Sequence, residues 1–195
     1  LEHLDRIVEL SDAVMVARGD LGVELPAEEV PLAQKRIIRT AHRWGRPVIV
    51  ATQMLESMIT APTPTRAEAT DVATAVFDGA DAVMLSAETA AGQYPLEAVS
   101  IMSRIVRRVE EDEGWRETKA SLRPPAEHNS GDAIASAARQ VAETIGAKAI
   151  AAFTSSGATA LRIARERPDA PILGLASTIQ TARRLALVWG VAPVE

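Results

Sequence analysis

The sequence predicts an α/β fold built on parallel strands. Three observations predict it. Residues 13–17, 47–51 and 82–85 are short, uninterrupted apolar runs, the pattern of strands covered on both faces. Each run is followed by a stretch with helical apolar spacing and a short connection. Each also ends in polar residues: Arg18-Gly19-Asp20, Thr52-Gln53 and Ser86-Ala87-Glu88-Thr89. Both a barrel and a doubly wound sheet place such residues at one common, chemically useful edge.

The elements follow in order. Residues 1–10 carry apolar side chains at 1, 4, 7, 8 and 10, which is helical spacing. A strand at 13–17 leads into a loop over 21–31, broken by Pro26 and Pro31. Residues 32–44 read as a basic amphipathic helix closed by Gly45. A strand at 47–51 precedes a loop over 53–64. Thr65, with Glu68 three residues on, forms a capping box for a helix over 65–78. Gly79 ends it, and a strand follows at 82–85. A loop over 87–94 gives way to a long helix over 95–113, with Pro95 at its first position.

Residues 114–130 change character. They hold Pro124, Pro125, His128 and Asn129 without apolar period and read as a linker. The expected domains are therefore 1–113 and 131–195. The second contains helices over 132–145, 160–167 and 179–188. Its strands are expected at 149–153 and 171–175, with a further strand-like stretch over 190–195.

Composition narrows the function. The chain has 195 residues, a formal net charge of -5, 3% aromatic residues and no cysteine. The acidic balance argues against nucleic-acid or anionic-membrane binding. The lack of cysteine excludes a disulfide scaffold and thiolate catalysis, and fits a reducing cytoplasm. No apolar run is long enough to span a membrane. The chain opens on Leu1 rather than Met and is expected to be a piece of a longer protein.

Four clusters carry possible chemistry. In Arg18-Gly19-Asp20-Leu21-Gly22, the glycines permit close backbone approach to a ligand, and Asp20 is a hard oxygen donor suited to Mg²⁺. A tight turn with a surface ion pair is the simpler reading. Thr52 either caps a turn or hands a proton to a substrate. Ser86 could join a hydroxyl–water proton relay and Glu88 could act as a general base or support one; helix capping and surface charge are the simpler reading. Thr154, Ser155, Ser156, Gly157 and Thr159 lie between a strand and a helix start. They form an N-cap or a phosphate cradle. The three histidines are scattered and lack metal-ligand spacing. Arg165 and Arg167 are expected to face solvent near a helix end, and Trp44 and Trp189 to serve packing.

These blocks together resemble the pyruvate kinase family. The resemblance rests on Met15 to Glu24, Ala51 to Met58, Pro64 to Glu68 and Asp78 to Ala90, in that order and spacing. It implies the last strands and helices of a TIM (β/α)8 barrel over 1–113, then part of a C-terminal regulatory domain. It also implies a Mg²⁺-dependent glycolytic kinase that transfers the phosphoryl group of phosphoenolpyruvate to ADP, giving pyruvate and ATP. By the same resemblance Asp20 holds the metal. Arg18, Gly19, Asp20 and Thr52 contact substrate, and Thr52 and Ser86 serve enolate protonation.

The family's catalytic Lys, a second metal-binding Glu and its K⁺ ligands would lie upstream of residue 1. The 195 residues alone are thus expected to be inactive. Residues 154–159 match the family's effector loop. Ser155 and Ala158 stand where bisphosphate-responsive members carry longer or basic side chains, which points to a monophosphate effector. The helix from Thr65 resembles one at a subunit interface, where Arg66 and Asp71 are expected to pair within a homotetramer. Two other readings remain at this point. One is another Mg²⁺-dependent phosphoenolpyruvate or pyruvate barrel enzyme, the other a non-catalytic module that binds a phosphorylated effector.

Overall fold

A computed structural model describes residues 2–125 and 129–195. His128 lies outside the described residues. The first part runs α1 (Leu4–Leu10), β1 (Val14–Ala17), α2 (Arg18–Glu24), α3 (Val30–Arg43), β2 (Val48–Ala51), α4 (Arg66–Phe77), β3 (Ala82–Val83), α5 (Ala87–Ala90), α6 (Pro95–Glu110) and α7 (Glu113–Ser121). The second part runs α8 (Ser130–Ile145), β4 (Ile150–Thr154), α9 (Ala158–Arg165), β5 (Ile172–Ala176), α10 (Ile179–Leu185) and β6 (Val191–Val194).

Each part contains one three-stranded parallel sheet, ordered β1-β2-β3 and β4-β5-β6. In the first sheet Val14 pairs with Val48 and Ala17 with Ala51, while Val50 pairs with Val83. This register puts Arg18, Thr52 and the residues after Val83 at one end. Val16, Val48 and Val50 are buried and pack with Ile38 of α3, Val72 of α4 and Ala98 and Met102 of α6. Small and β-branched side chains suit a sheet with helices against it.

Local signals place the helices. The capping box forms as expected: Thr65 accepts from the Glu68 N–H, and Glu68 accepts from the Thr65 N–H. Pro95 opens α6. Gly146 adopts φ 63° as α8 ends, a conformation that glycine enters without steric penalty.

Three expectations need correction. The loop expected from Leu21 is mostly helix, because α2 starts directly after β1. The linker expected over 114–130 begins with α7, capped by Asp112. Its Trp115 is 2% exposed and packs with Val76 and Val109. Burying an indole outweighs the weak helix propensity of Gly114. Arg165 and Arg167, expected in solvent, pack between the two parts of the chain. The Arg167 side chain is only 4% exposed.

Candidate active site

The site stands at the C-terminal ends of β1, β2 and β3. Asp20 is exposed in the first turn of α2. Thr52, directly after β2, is half-buried. Its φ is 75°, and that of Gln53 is 55°. A β-branched residue at positive φ is a real outlier, of the kind that a surrounding structure must hold in place.

Arg18 does the holding. Its Nη2 donates to the Thr52 carbonyl at 2.7 Å, and its Nε to the same oxygen at 3.2 Å. Its Nη1 donates to Asp71 on α4 at 2.6 Å. The guanidinium is thus committed to the turn after β2. Arg18, expected to contact substrate, directs its hydrogen bonds within the chain to this turn and to Asp71. Within the chain Asp71 pairs with Arg18. Arg66 lies exposed at the first turn of α4.

Gly19 is fixed by proximity. A Cβ at this position would stand 3.0 Å from Thr52 Cγ2. The segment after β1 and the threonine after β2 therefore pack against each other, and only the smallest residue leaves both undisturbed.

Glu88 ties β2 to β3. It is 3% exposed. Its Oε1 accepts from the Leu55 N–H at 3.1 Å and its Oε2 from the Ser86 N–H at 2.7 Å. Two backbone donors give a buried carboxylate its partners. Ser86 itself is exposed, with no side-chain capping bond. Glu68 braces the same region. Burial pushes its carboxyl up, but hydrogen bonds from Ser57 and Thr65 outweigh this and hold it below the usual range.

The site therefore offers an exposed carboxylate and two hydroxyl-bearing residues on three adjacent strand ends. Such a set can place a metal ion, a substrate oxygen and a proton donor side by side. Among the described residues no cluster of three or more His, Asp or Glu side chains could hold a metal alone.

The second loop is more ordered than its polar sequence suggests. Thr154 is buried, and its Oγ1 accepts from the Gly157 N–H at 2.9 Å. Thr181 Oγ1 donates to the Ser155 carbonyl at 3.0 Å. Ser155, Ser156 and Thr159 remain exposed. Thr154 shapes the turn and leaves those three hydroxyls at the surface.

Comparison with known proteins decides the family. A model described as the pyruvate kinase barrel domain matches residues 1–99, and one described as the pyruvate kinase alpha/beta domain matches 132–195. The chain belongs to the pyruvate kinase family. A pyruvate kinase from Methylorubrum extorquens is 56% identical over 194 residues, covering 100% of this chain and 41% of the relative. One from Mycobacterium tuberculosis is 52% identical over 193 residues, covering 97% of this chain and 39% of the relative. A crystal structure of a pyruvate kinase from Cryptosporidium parvum superposes with a TM-score of 0.93 at 42% identity. It covers 99% of this chain and 40% of that one. The chain thus spans about two-fifths of the length of these pyruvate kinases. The parallel sheets and the barrel assignment agree with the fold that the sequence predicts.

The sequence did not reveal Arg18 as a brace or Asp71 as its partner, because the pair is 53 residues apart. The signal available was the Thr at the end of an apolar run, a place where strained backbone needs support.

Proposed function

We propose that the protein carrying this chain is a working pyruvate kinase, transferring the phosphoryl group of phosphoenolpyruvate to ADP in the cytoplasm. One observation carries the reading. The exposed Asp20 carboxylate stands in the first turn of α2, directly after the strand that pairs with the one leading into the braced Thr52, in a chain that matches both domains of the family.

Asp20 would hold Mg²⁺ together with substrate oxygens. The ion supplies charge neutralisation, which phosphoryl transfer needs more than covalent help. The Gly19–Asp20 backbone, free of side-chain bulk at Gly19, lets the substrate's anionic end approach. Thr52 places its hydroxyl toward the enolate, and Ser86, through water, supplies the proton path. K⁺ joins Mg²⁺ as a cofactor, with ligands elsewhere in the family's barrel. A monophosphate effector engages Ser155, Ser156, Gly157 and Thr159, in a turn that Thr154 shapes. Arg66 and Asp71 lie on the helix that meets a second subunit of a homotetramer. The Arg18–Asp71 pair then links that helix to Thr52. Among the described residues no helix is long and apolar enough to cross a membrane.

The test is pyruvate formation by the intact protein. Turnover is expected to require phosphoenolpyruvate, ADP and Mg²⁺ together, while the 195 residues alone are expected to show none. An intact, folded protein that makes no pyruvate contradicts the reading.

A further inference from the structure

The two parts of the chain meet along an open cleft of about 270 Å³. Arg43, Trp44 and Arg46, from the end of α3 and the turn after it, form one wall. Leu161, Arg162 and Arg165 of α9 form the other, with Asp132 of α8 beside them. The walls touch at Gly45, where a Cβ would stand 3.6 Å from Arg165 Cδ. Four arginines from two segments far apart in sequence thus border one space. Two of them keep accessible side chains, Arg43 at 56% and Arg162 at 46%.

The carboxylates that meet these arginines do not balance them. Asp132 takes Arg165 Nη1 at 2.7 Å and Arg162 Nε at 3.3 Å. Arg43 pairs with Asp5, which also accepts from the Trp44 indole N–H at 3.3 Å. Arg46 Nη2 donates to the Glu9 carbonyl at 2.7 Å, while the Glu9 carboxylate pairs with Arg6. Glu166, next to Arg165 in sequence, pairs with Arg139, and Asp81 pairs with Arg167. Four guanidinium groups therefore share two carboxylates, Asp5 and Asp132. Each guanidinium carries five N–H donors, so Arg43 and Arg162 retain donors for a further partner that solvent can reach.

We propose that this cleft binds a phosphate group between the barrel part and the C-terminal part, with Arg43 and Arg162 as its ligands from the two walls. The planar fork of arginine matches phosphate oxygens. A phosphate group carries close to two negative charges near pH 7, which offsets the unbalanced pair of arginines. The space is larger than a bare ion needs and falls just below the roughly 300 Å³ at which small-molecule pockets begin. The phosphate is therefore free, or carried on a small body that lies against Trp44 and Leu161. Asp20, Thr52, Ser155, Ser156 and Thr159 are not among the lining residues. The site thus stands apart from the proposed catalytic and effector sites, and its test does not depend on turnover.

Calorimetric titration of the intact protein with inorganic phosphate and with phenyl phosphate tests this. At least one is expected to bind with Kd below about 1 mM. Tighter binding of phenyl phosphate assigns a carried phosphate, and equal binding assigns the free ion. Arg43→Gln and Arg162→Gln, one from each wall, should each weaken that binding about 10-fold or more. Ser155→Ala, in the loop before α9, should leave it at wild-type strength. No binding of either phosphate overturns the proposal. Binding that neither arginine variant weakens, or that Ser155→Ala alone removes, does the same. If one arginine variant fails to fold, the wild-type titrations and the other variant still decide the matter.

Discussion

Arg18 and Asp71 meet at 2.6 Å, and the same guanidinium grips the carbonyl of Thr52. The pair turns a helix contact into backbone control at a strand end. Arg18→Lys keeps the charge but loses the fork that reaches two partners at once. It is expected to lower kcat of the intact protein by about 10-fold or more, since small misplacements near the chemistry are expensive. Asp71→Asn should do the same more mildly. Unchanged kcat in Arg18→Lys would show that Thr52 needs no such support.

Gly19→Ala separates fit from folding. The new methyl would stand 3.0 Å from Thr52 Cγ2, so Thr52 must shift. The backbone here is helical, where Ala is favoured over Gly by about 1 kcal/mol. Stability should therefore hold or rise while KM for phosphoenolpyruvate increases. Steady-state kinetics beside a thermal melt checks this. A variant with native kinetics would refute the close packing.

Glu88→Ala strips the Leu55 and Ser86 N–H groups of their acceptor in a buried place. Unsatisfied buried donors cost about 1–3 kcal/mol each. Urea unfolding is expected to show a loss of at least about 2 kcal/mol. A loss below about 0.5 kcal/mol, the level of a neutral surface change, would contradict the brace.

His42 gives a pH dependence. Burial, then Arg167, lowers it from 6.5 to about 4 in the folded protein. The unfolded chain thus binds the proton first, and stability falls as pH drops from 6.5 toward 4. Between pH 7 and pH 5 the loss is about 2 kcal/mol. His42→Gln should flatten that part of the profile. A wild-type profile flat between pH 7 and 5 would contradict a buried neutral imidazole.

Much of the architecture was legible because it is written locally. The capping box at Thr65 and Glu68, Pro95 at a helix start and Gly146 at a helix end are each decided by neighbours in sequence. The strand at 82–85 is visible, although only Ala82 and Val83 pair. What stayed hidden depends on distant partners. The stretch from Leu21 to Glu24 reads as the start of a loop, yet it folds as helix against α3. Trp115 draws α7 onto Val76 and Val109 from within an apparent linker. Arg167 looks like a surface charge at a helix end. Only the fold brings it to His42, Gly79 and Asp81, with Trp189 stacked 4.9 Å from its guanidinium.

Under the proposed function Asp20 serves phosphoryl transfer by holding Mg²⁺. The most direct measurement is pyruvate formation by intact Asp20→Asn, beside wild type, across a Mg²⁺ titration. The variant is expected to lose at least about 100-fold in kcat/KM, equal to about 3 kcal/mol, with a higher Mg²⁺ requirement and an unchanged melting temperature. Near-native turnover at the same Mg²⁺ concentration would contradict it.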